Sequence, residues 1–197
     1  MFLSAVREED ARGPVAEMYR ADRERWGYLP NFARVFSSRP EAYAGWRTLL
    51  KAIAGPMDPR RYELVTVAAA RQLGSTYCVM AHSKILMEDF DGPDVVERIL
   101  SGRAPGGPDG LDVAVMDLAQ KVAADAGSIT EADFDRLRDH GLEDAEILDV
   151  VLAAAARCFF SKVLDAVGAA ADAELAAYFA PGQQELLTVG RPAEPPG

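Results

Sequence analysis

Cysteine is almost missing from this chain of 197 residues: only Cys78 and Cys158 occur. Two cysteines cannot build the disulfide framework that staples small secreted domains. Histidine is as scarce, with His82 and His140 alone. Basic charge is short too, 21 Lys and Arg against 31 Asp and Glu, a net charge of −10. Nonspecific nucleic-acid binding draws on a Lys/Arg excess to release counterions, and an anionic membrane surface asks for the same, so neither partner is expected. Long apolar runs are absent. The longest, Val150 to Ala156, falls far below the roughly 18 residues of a membrane span. The opening Met1-Phe2-Leu3-Ser4-Ala5-Val6 turns acidic by Glu8, too short an apolar stretch for a signal peptide. The expectation is a cytoplasmic protein.

Strand signals are missing as well: no period-two stretch of β-branched residues stands between turns. What the chain has is helical spacing. Apolar residues recur with that period from Glu8 to Arg25, Ser38 to Ala54, Arg60 to Leu73, Thr76 to Asp89 and Leu111 to Ala126. The pattern resumes after Thr130 and from Asp144 to Val167, with short helices expected at Val95 to Leu100 and Ala173 to Phe179. Ser38-Arg39-Pro40-Glu41 and Thr130-Glu131-Ala132-Asp133 read as capping boxes, and Asp58-Pro59 as an N-cap followed by a first-turn proline. Gly74 suits a left-handed helix end. Gly102 to Gly110 is a breaker-rich loop without the Gly-Lys-Ser/Thr ending of a phosphate-binding loop. The Asp144 helix is apolar round most of its circumference, which makes it central. The reading is one all-α domain over residues 1–189, with the proline-rich tail 190–197 disordered. A faint echo sets Glu63 against Glu146 and Cys78 against Ser161. Chance similarity between core helices is the simpler account, and two related helical units the alternative.

Chemistry gathers between Glu63 and His82. Cys78 and His82 stand four apart on one helix and share a face. With Ser75 as N-cap, Cys78 lies in the first turn, where the positive end of the helix dipole favours a thiolate. That contribution is modest, about 0.3–1 kcal/mol, so strong activation would need a protonated His82 held by Glu63. Glu63 lies on the preceding helix, which folds back through Gly74-Ser75, so an antiparallel hairpin is expected. Flanked by Leu64, Val65 and Val67, its carboxylate should be partly buried and therefore paired.

The order Glu63, eleven residues, Ser75-x-x-Cys78, three residues, His82 resembles the signature of the alkylhydroperoxidase D-like / carboxymuconolactone decarboxylase superfamily. Tyr28-Leu29-Pro30-Asn31 and the stretch Gly141 to Leu148 agree with it, so the resemblance runs from about Pro14 to Gly168. It implies an all-α alkylhydroperoxidase D-like helical bundle that assembles as a homo-oligomer (dimer, trimer or hexamer). It also implies a proton relay with Cys78 as nucleophile, His82 as shuttle and Glu63 as acceptor and orienter. The substrate would be a small hydroperoxide and the reductant a thiol, with no cofactor and no metal. Two positions depart from the pattern. Ser75 replaces the first cysteine of the family's Cys-x-x-Cys, and Tyr77 stands where lipoamide-linked members have histidine. A hydroxyl forms no disulfide, so oxidised Cys78 would be a sulfenic acid resolved by an external thiol.

Plainer roles compete at each position. Ser75 is a good N-cap, a role whose loss costs about 1 kcal/mol without any chemistry, or else it contacts substrate together with Tyr77. Cys158, in Ala154-Ala155-Ala156-Arg157-Cys158-Phe159-Phe160, reads as core. His140 reads as a helix-end residue, and Tyr62, Trp46, Phe159 and Phe160 as core or pocket wall. Glu63, Cys78 and His82 offer three metal ligands and nothing supplies a fourth. The leading expectation is a peroxidase-related, thiol-dependent oxidoreductase. The alternatives are an acid–base enzyme like carboxymuconolactone decarboxylase, using Glu63 and His82 without a redox step, and a catalytically silent oligomeric binding protein.

Overall fold

Proline opens many of the helices and glycine closes several, as their backbone preferences dictate. A computed structural model describes residues 1–92, 94 and 110–195, and every regular element among them is helical. In chain order these are α1 (Gly13–Trp26), α2 (Asn31–Val35), α3 (Pro40–Ala54), α4 (Pro59–Gln72) and α5 (Thr76–Asp89). Then come α6 (Leu111–Asp125), α7 (Glu131–Asp139), α8 (Asp144–Ala166), α9 (Ala173–Ala177) and α10 (Pro181–Leu187). No helix among the described residues is long and apolar enough to cross a membrane.

The caps differ in how they follow the sequence. Asp58 caps α4, its Oδ1 accepting the Arg61 N–H at 2.8 Å, and Thr130 with Asp133 forms the capping box of α7. Ser38 does not cap α3. It ends a 3-10 turn, and Arg39 precedes the helix with no side-chain cap bond. The helix expected from Glu8 breaks into a 3-10 turn at Glu8–Asp10 and α1, because Pro14 is tolerated only in a first turn. Helices α2 and α10 were not expected. The helix foreseen at 95–100 and the loop at 102–109 lie outside the described residues.

Helix α4 is the axis of the molecule. Leu64, Val65, Val67, Ala68, Ala69 and Ala70 are all fully buried, and α6, α5 and α8 pack around it. The alanine run lets these neighbours come close, and dense packing of this kind leaves little freedom to the side chains carried on it. Arg60 ties one end of the arrangement together. Its Nε donates to Asp91 at 2.8 Å and its Nη atoms to Asp112 at 2.9 and 3.0 Å, joining the starts of α4 and α6 to the end of α5. Helix α8 is central on one side, with Ile147, Val150, Ala154 and Leu164 buried, yet it leaves Leu148, Leu152 and Phe159 exposed.

The structure favours chance similarity as the account of the echo and changes the reading of the tail. The echo between residues 63–78 and 146–161 sets a helix–turn–helix against the uninterrupted α8, so it joins unlike local structures. The tail read as disordered from 190 is held at least to Glu194. The Val189 and Gly190 N–H groups donate to Thr76 Oγ1 at 3.2 and 2.9 Å, and the Glu194 N–H donates to the Ala171 carbonyl at 2.8 Å. Any side chain at Gly190 would strike the Gly74 carbonyl. Two glycines thus let the tail lie against the α4–α5 turn, a contact that composition does not reveal.

Candidate active site

The turn between α4 and α5 sets the site. Gly74 adopts φ +70°, and the Gly74 and Ser75 N–H groups bond back to the Arg71 and Ala70 carbonyls at 3.0 Å each. This paired helix ending reverses the chain within two residues. It brings the inward face of α4, with Glu63, against the first turns of α5, with Cys78 and His82. The cations nearest in sequence are committed elsewhere, Arg60 to Asp91 and Asp112, Arg61 to Glu146 at 3.2 Å. Glu63 therefore pairs with His82, its Oε2 lying 2.5 Å from Nδ1.

That contact fixes the imidazole tautomer: Nδ1–H donates to the carboxylate and Nε2 keeps its lone pair. Burial, aided by the Arg157 charge, pushes the His82 pKa below its ordinary value, while Glu63 pulls the other way without prevailing. The ring is a neutral base at neutral pH. The protonated His82 that strong activation of Cys78 would need is disfavoured, because a cation already occupies the site.

That cation is Arg157 of α8, which sequence reasoning passed over. It is 4% exposed, and its Nη1 donates to Cys78 Sγ at 3.5 Å. Burial opposes its charge, but Cys78, Tyr62 and Glu63 outweigh that and hold the guanidinium above its ordinary pKa. Its Cζ lies over the Phe160 ring, 5.6 Å from the centroid, and its Nε is buried without a partner. The signal was present in the sequence: an arginine inside the most apolar helix must find a partner indoors, because an unpaired buried charge is prohibitively costly. No hydrogen bond joins Cys78 to His82. The sulfur and the imidazole are served by separate partners, which Arg157 links electrostatically.

These groups line one cavity of about 890 Å³, within the usual range for small-molecule sites. Trp26, Phe32, Tyr43, Trp46, Tyr62 and Phe160 form its aromatic wall. Cys78 itself is 2% exposed. A reagent reaches the sulfur by filling the cavity.

The two residues expected to bind substrate are placed differently. Ser75 is wholly buried and does not line the cavity. Its hydroxyl turns toward Asp165 yet completes no hydrogen bond, to a ligand-facing group or to its own helix. It holds the N-cap position through its backbone alone, its carbonyl accepting the Val79 N–H at 3.0 Å. Tyr77 lends its ring to the cavity wall, but its O–H donates to Asp172 Oδ2 at 2.5 Å and its oxygen accepts the Phe32 N–H at 3.2 Å. Asp172 also takes the Asn31 N–H at 2.7 Å, so Tyr77 is a latch tying α2 to the segment before α9. Cys158 is half-buried, faces away from the cavity, and has its thiol pKa raised by burial. Phe159, expected as core or pocket wall, is 50% exposed and does not line the cavity; its ring centroid lies 5.3 Å from that of Trp46.

Similarity to known proteins centres on these elements. Residues 40–121, which include Glu63, Cys78 and His82, match the carboxymuconolactone decarboxylase family profile. An alkyl hydroperoxide reductase of Mycobacterium tuberculosis is 34% identical over 109 residues, 54% of this chain. The chain spans about a third of that relative's length, 31%. Among solved structures, the alkylhydroperoxidase D core of an uncharacterized peroxidase-related protein from Ralstonia eutropha superposes with a TM-score of 0.79 at 22% identity, covering 88% of this chain and 93% of its own. A debrominase solved with 2,3,4-tribromopyrrole shares the fold at TM-score 0.74 and 14% identity, covering 90% of this chain and 95% of its own. The fold is that of the alkylhydroperoxidase D core, and it carries more than one chemistry.

Proposed function

We propose that this chain, built on the alkylhydroperoxidase D core fold and carrying a carboxymuconolactone decarboxylase family segment at 40–121, reduces organic hydroperoxides through Cys78 at the expense of external thiols. The observation that carries the reading is the buried Arg157 guanidinium donating to Cys78 Sγ in the wall of an apolar cavity. A cation paired with sulfur favours the thiolate, the form that attacks. Nucleophilic attack on the distal peroxide oxygen forms the S–O bond and breaks the O–O bond. The electron pair of that bond leaves on the proximal oxygen as an alkoxide. The unpartnered Arg157 Nε is a donor for the developing negative charge. His82, which takes the thiol proton on Nε2, returns it to give the alcohol. One external thiol then condenses with the sulfenic acid, releasing water and leaving a mixed disulfide. A second thiol displaces Cys78, giving the external disulfide and the starting thiol.

The test is mass spectrometry after brief exposure to cumene hydroperoxide with a sulfenic-acid trap, alongside peroxide consumption with excess thiol. Capture at Cys78, with turnover lost in Cys78→Ser, supports the proposal. Turnover that survives Cys78→Ser defeats it. A second reading has its own observation, the neutral His82 with Nε2 free beside Glu63: proton transfer on a lactone without redox chemistry, as in carboxymuconolactone decarboxylase. Lactone turnover retained in Cys78→Ser and lost in His82→Gln would select it.

A further inference from the structure

We infer that the cavity has a second pole at Asp22, whose unpartnered Oδ2 receives a neutral hydrogen-bond donor, so that its preferred ligands are aromatic molecules carrying a hydroxyl or N–H group. The inference deepens the proposed function by naming the substrate class of the same cavity.

Asp22 lies on α1, and a carboxylate there is unexpected: the residue is only 2% exposed. One oxygen is accounted for. Oδ1 accepts the Tyr43 O–H at 3.2 Å and lies 3.5 Å from Arg47 Nη1. Oδ2 is buried and accepts nothing. Buried polar atoms are nearly always paired, and an exception calls for a partner that comes from elsewhere. Thr66, Arg71, Ser75 and Ser161 also carry unpaired buried atoms, but none of them lines the cavity. The two that do are Arg157, a donor beside the sulfur, and Asp22, an acceptor. A ligand that satisfies both presents an oxygen to one and an O–H or N–H to the other.

Both poles stand on one aromatic wall. The Phe32 ring lies 6.2 Å from the Tyr43 ring that holds Asp22 and 5.9 Å from the Phe160 ring, over which the Arg157 guanidinium sits. The Arg25 charge is felt at Asp22 and at His82 alike. Between the poles the walls are the rings of Trp26, Phe32, Trp46 and Phe160, which favour a flat aromatic body. A cationic ligand is disfavoured because Arg25, Arg47 and Lys51 already stand in the same wall. What remains for Oδ2 is a neutral donor.

The chain has two tryptophans, Trp26 and Trp46, and both line this cavity, so quenching of their fluorescence reports occupancy without turnover. Titration with 4-isopropylphenol and with 4-isopropylanisole, which differ only in the donor, should give at least about tenfold tighter binding of the phenol to the native protein, as a hydrogen bond to a charged acceptor provides. Asp22→Leu should erase the preference. Tyr43→Phe, which removes the partner of Oδ1 and leaves Oδ2 in place, should retain it, so the proposal stays testable if the leucine variant does not fold. Equal affinities in the native protein overturn the inference, as does a preference that persists in folded Asp22→Leu. Because quenching needs no reaction, a retained phenol preference with no sulfenic acid at Cys78 would sink the peroxidase reading and leave this subsite standing, and the reverse result would do the opposite.

Discussion

Removing the Arg157 charge should disable Cys78 without dismantling the fold. Methionine suits the test, since its flexible apolar stem fills the space of the arginine stem in α8 and carries no charge. In the native protein the Nη1–Sγ contact of 3.5 Å is a hydrogen bond from a charged donor. Such bonds contribute about 1.5–3 kcal/mol, which is roughly a 10- to 150-fold effect on a rate that depends on the thiolate. Iodoacetamide alkylation at pH 7, read peptide by peptide, should therefore slow by that factor at Cys78 in Arg157→Met. Cys158 serves as the internal control, because it faces away from the cavity. Arg157→Lys, which keeps the charge on a point donor without the planar fork, should fall between the two. A second readout separates electrostatics from loose packing. Arg157 is the largest contribution after burial to the depressed His82 pKa, so the imidazole titration followed by NMR should move upward in Arg157→Met. An alkylation rate at Cys78 that ignores the substitution, in a variant with native helicity, refutes the assignment of Arg157 as the partner of the sulfur. A His82 titration that stays in place refutes the coupling.

Three further outcomes are expected. The Asp172 carboxyl, raised by burial from 3.8 to about 6, binds its proton more tightly folded than unfolded, so its contribution to stability is full below about pH 4 and lost as pH rises through 6. About two pKa units correspond to roughly 3 kcal/mol; urea unfolding of native protein and Asp172→Asn at pH 4 and pH 7 should differ by that trend, and parallel pH profiles would contradict it. Ser75→Cys puts a thiol at the N-cap of the helix that holds Cys78 in its first turn; if its β-carbon lies about 3.5–4.5 Å from that of Cys78, as disulfide geometry requires, peroxide should convert the pair into a disulfide reversible by dithiothreitol, and continued capture of a Cys78 sulfenic acid by the trap would count against this. The apolar stripe Leu148, Leu152 and Phe159 on α8, exposed by 54%, 39% and 50%, has Asp149 near one end and Lys162 near the other, so antiparallel pairing with a second copy sets opposite charges across it. Sedimentation equilibrium should show a dimer or larger species that Leu152→Glu dissociates, and a native protein that stays at 21.3 kDa across micromolar concentrations would rule it out.

Glu63, Cys78 and His82 were legible as a set because their spacing acts through local geometry: residues four apart on one helix share a face, and a glycine with positive φ turns the chain back on itself. Arg157 was not, because its partner lies 79 residues away in sequence. Its charge reads as misplaced until α8 is packed against α4 and the side chain reaches Cys78. Ser75 shows the opposite failure. Its residue type is ideal for a cap, but the folded backbone turns its hydroxyl toward Asp165 and away from the N–H groups it would serve.

The sequence by itself determined the all-helical class, most of the helix ends and the α4–α5 hairpin, because periodicity, proline, glycine and caps act over a few residues. Only the tertiary structure decided which side chains meet in the cavity. It put a guanidinium rather than an imidazolium beside the sulfur, left one oxygen of Asp22 unpaired, and bound the tail to Thr76. Each of these joins segments far apart in the chain, and burial sets the protonation of His82 and the cost of an unmet hydrogen bond at Asp22. Burial is a property of packing, which no local pattern of residues encodes.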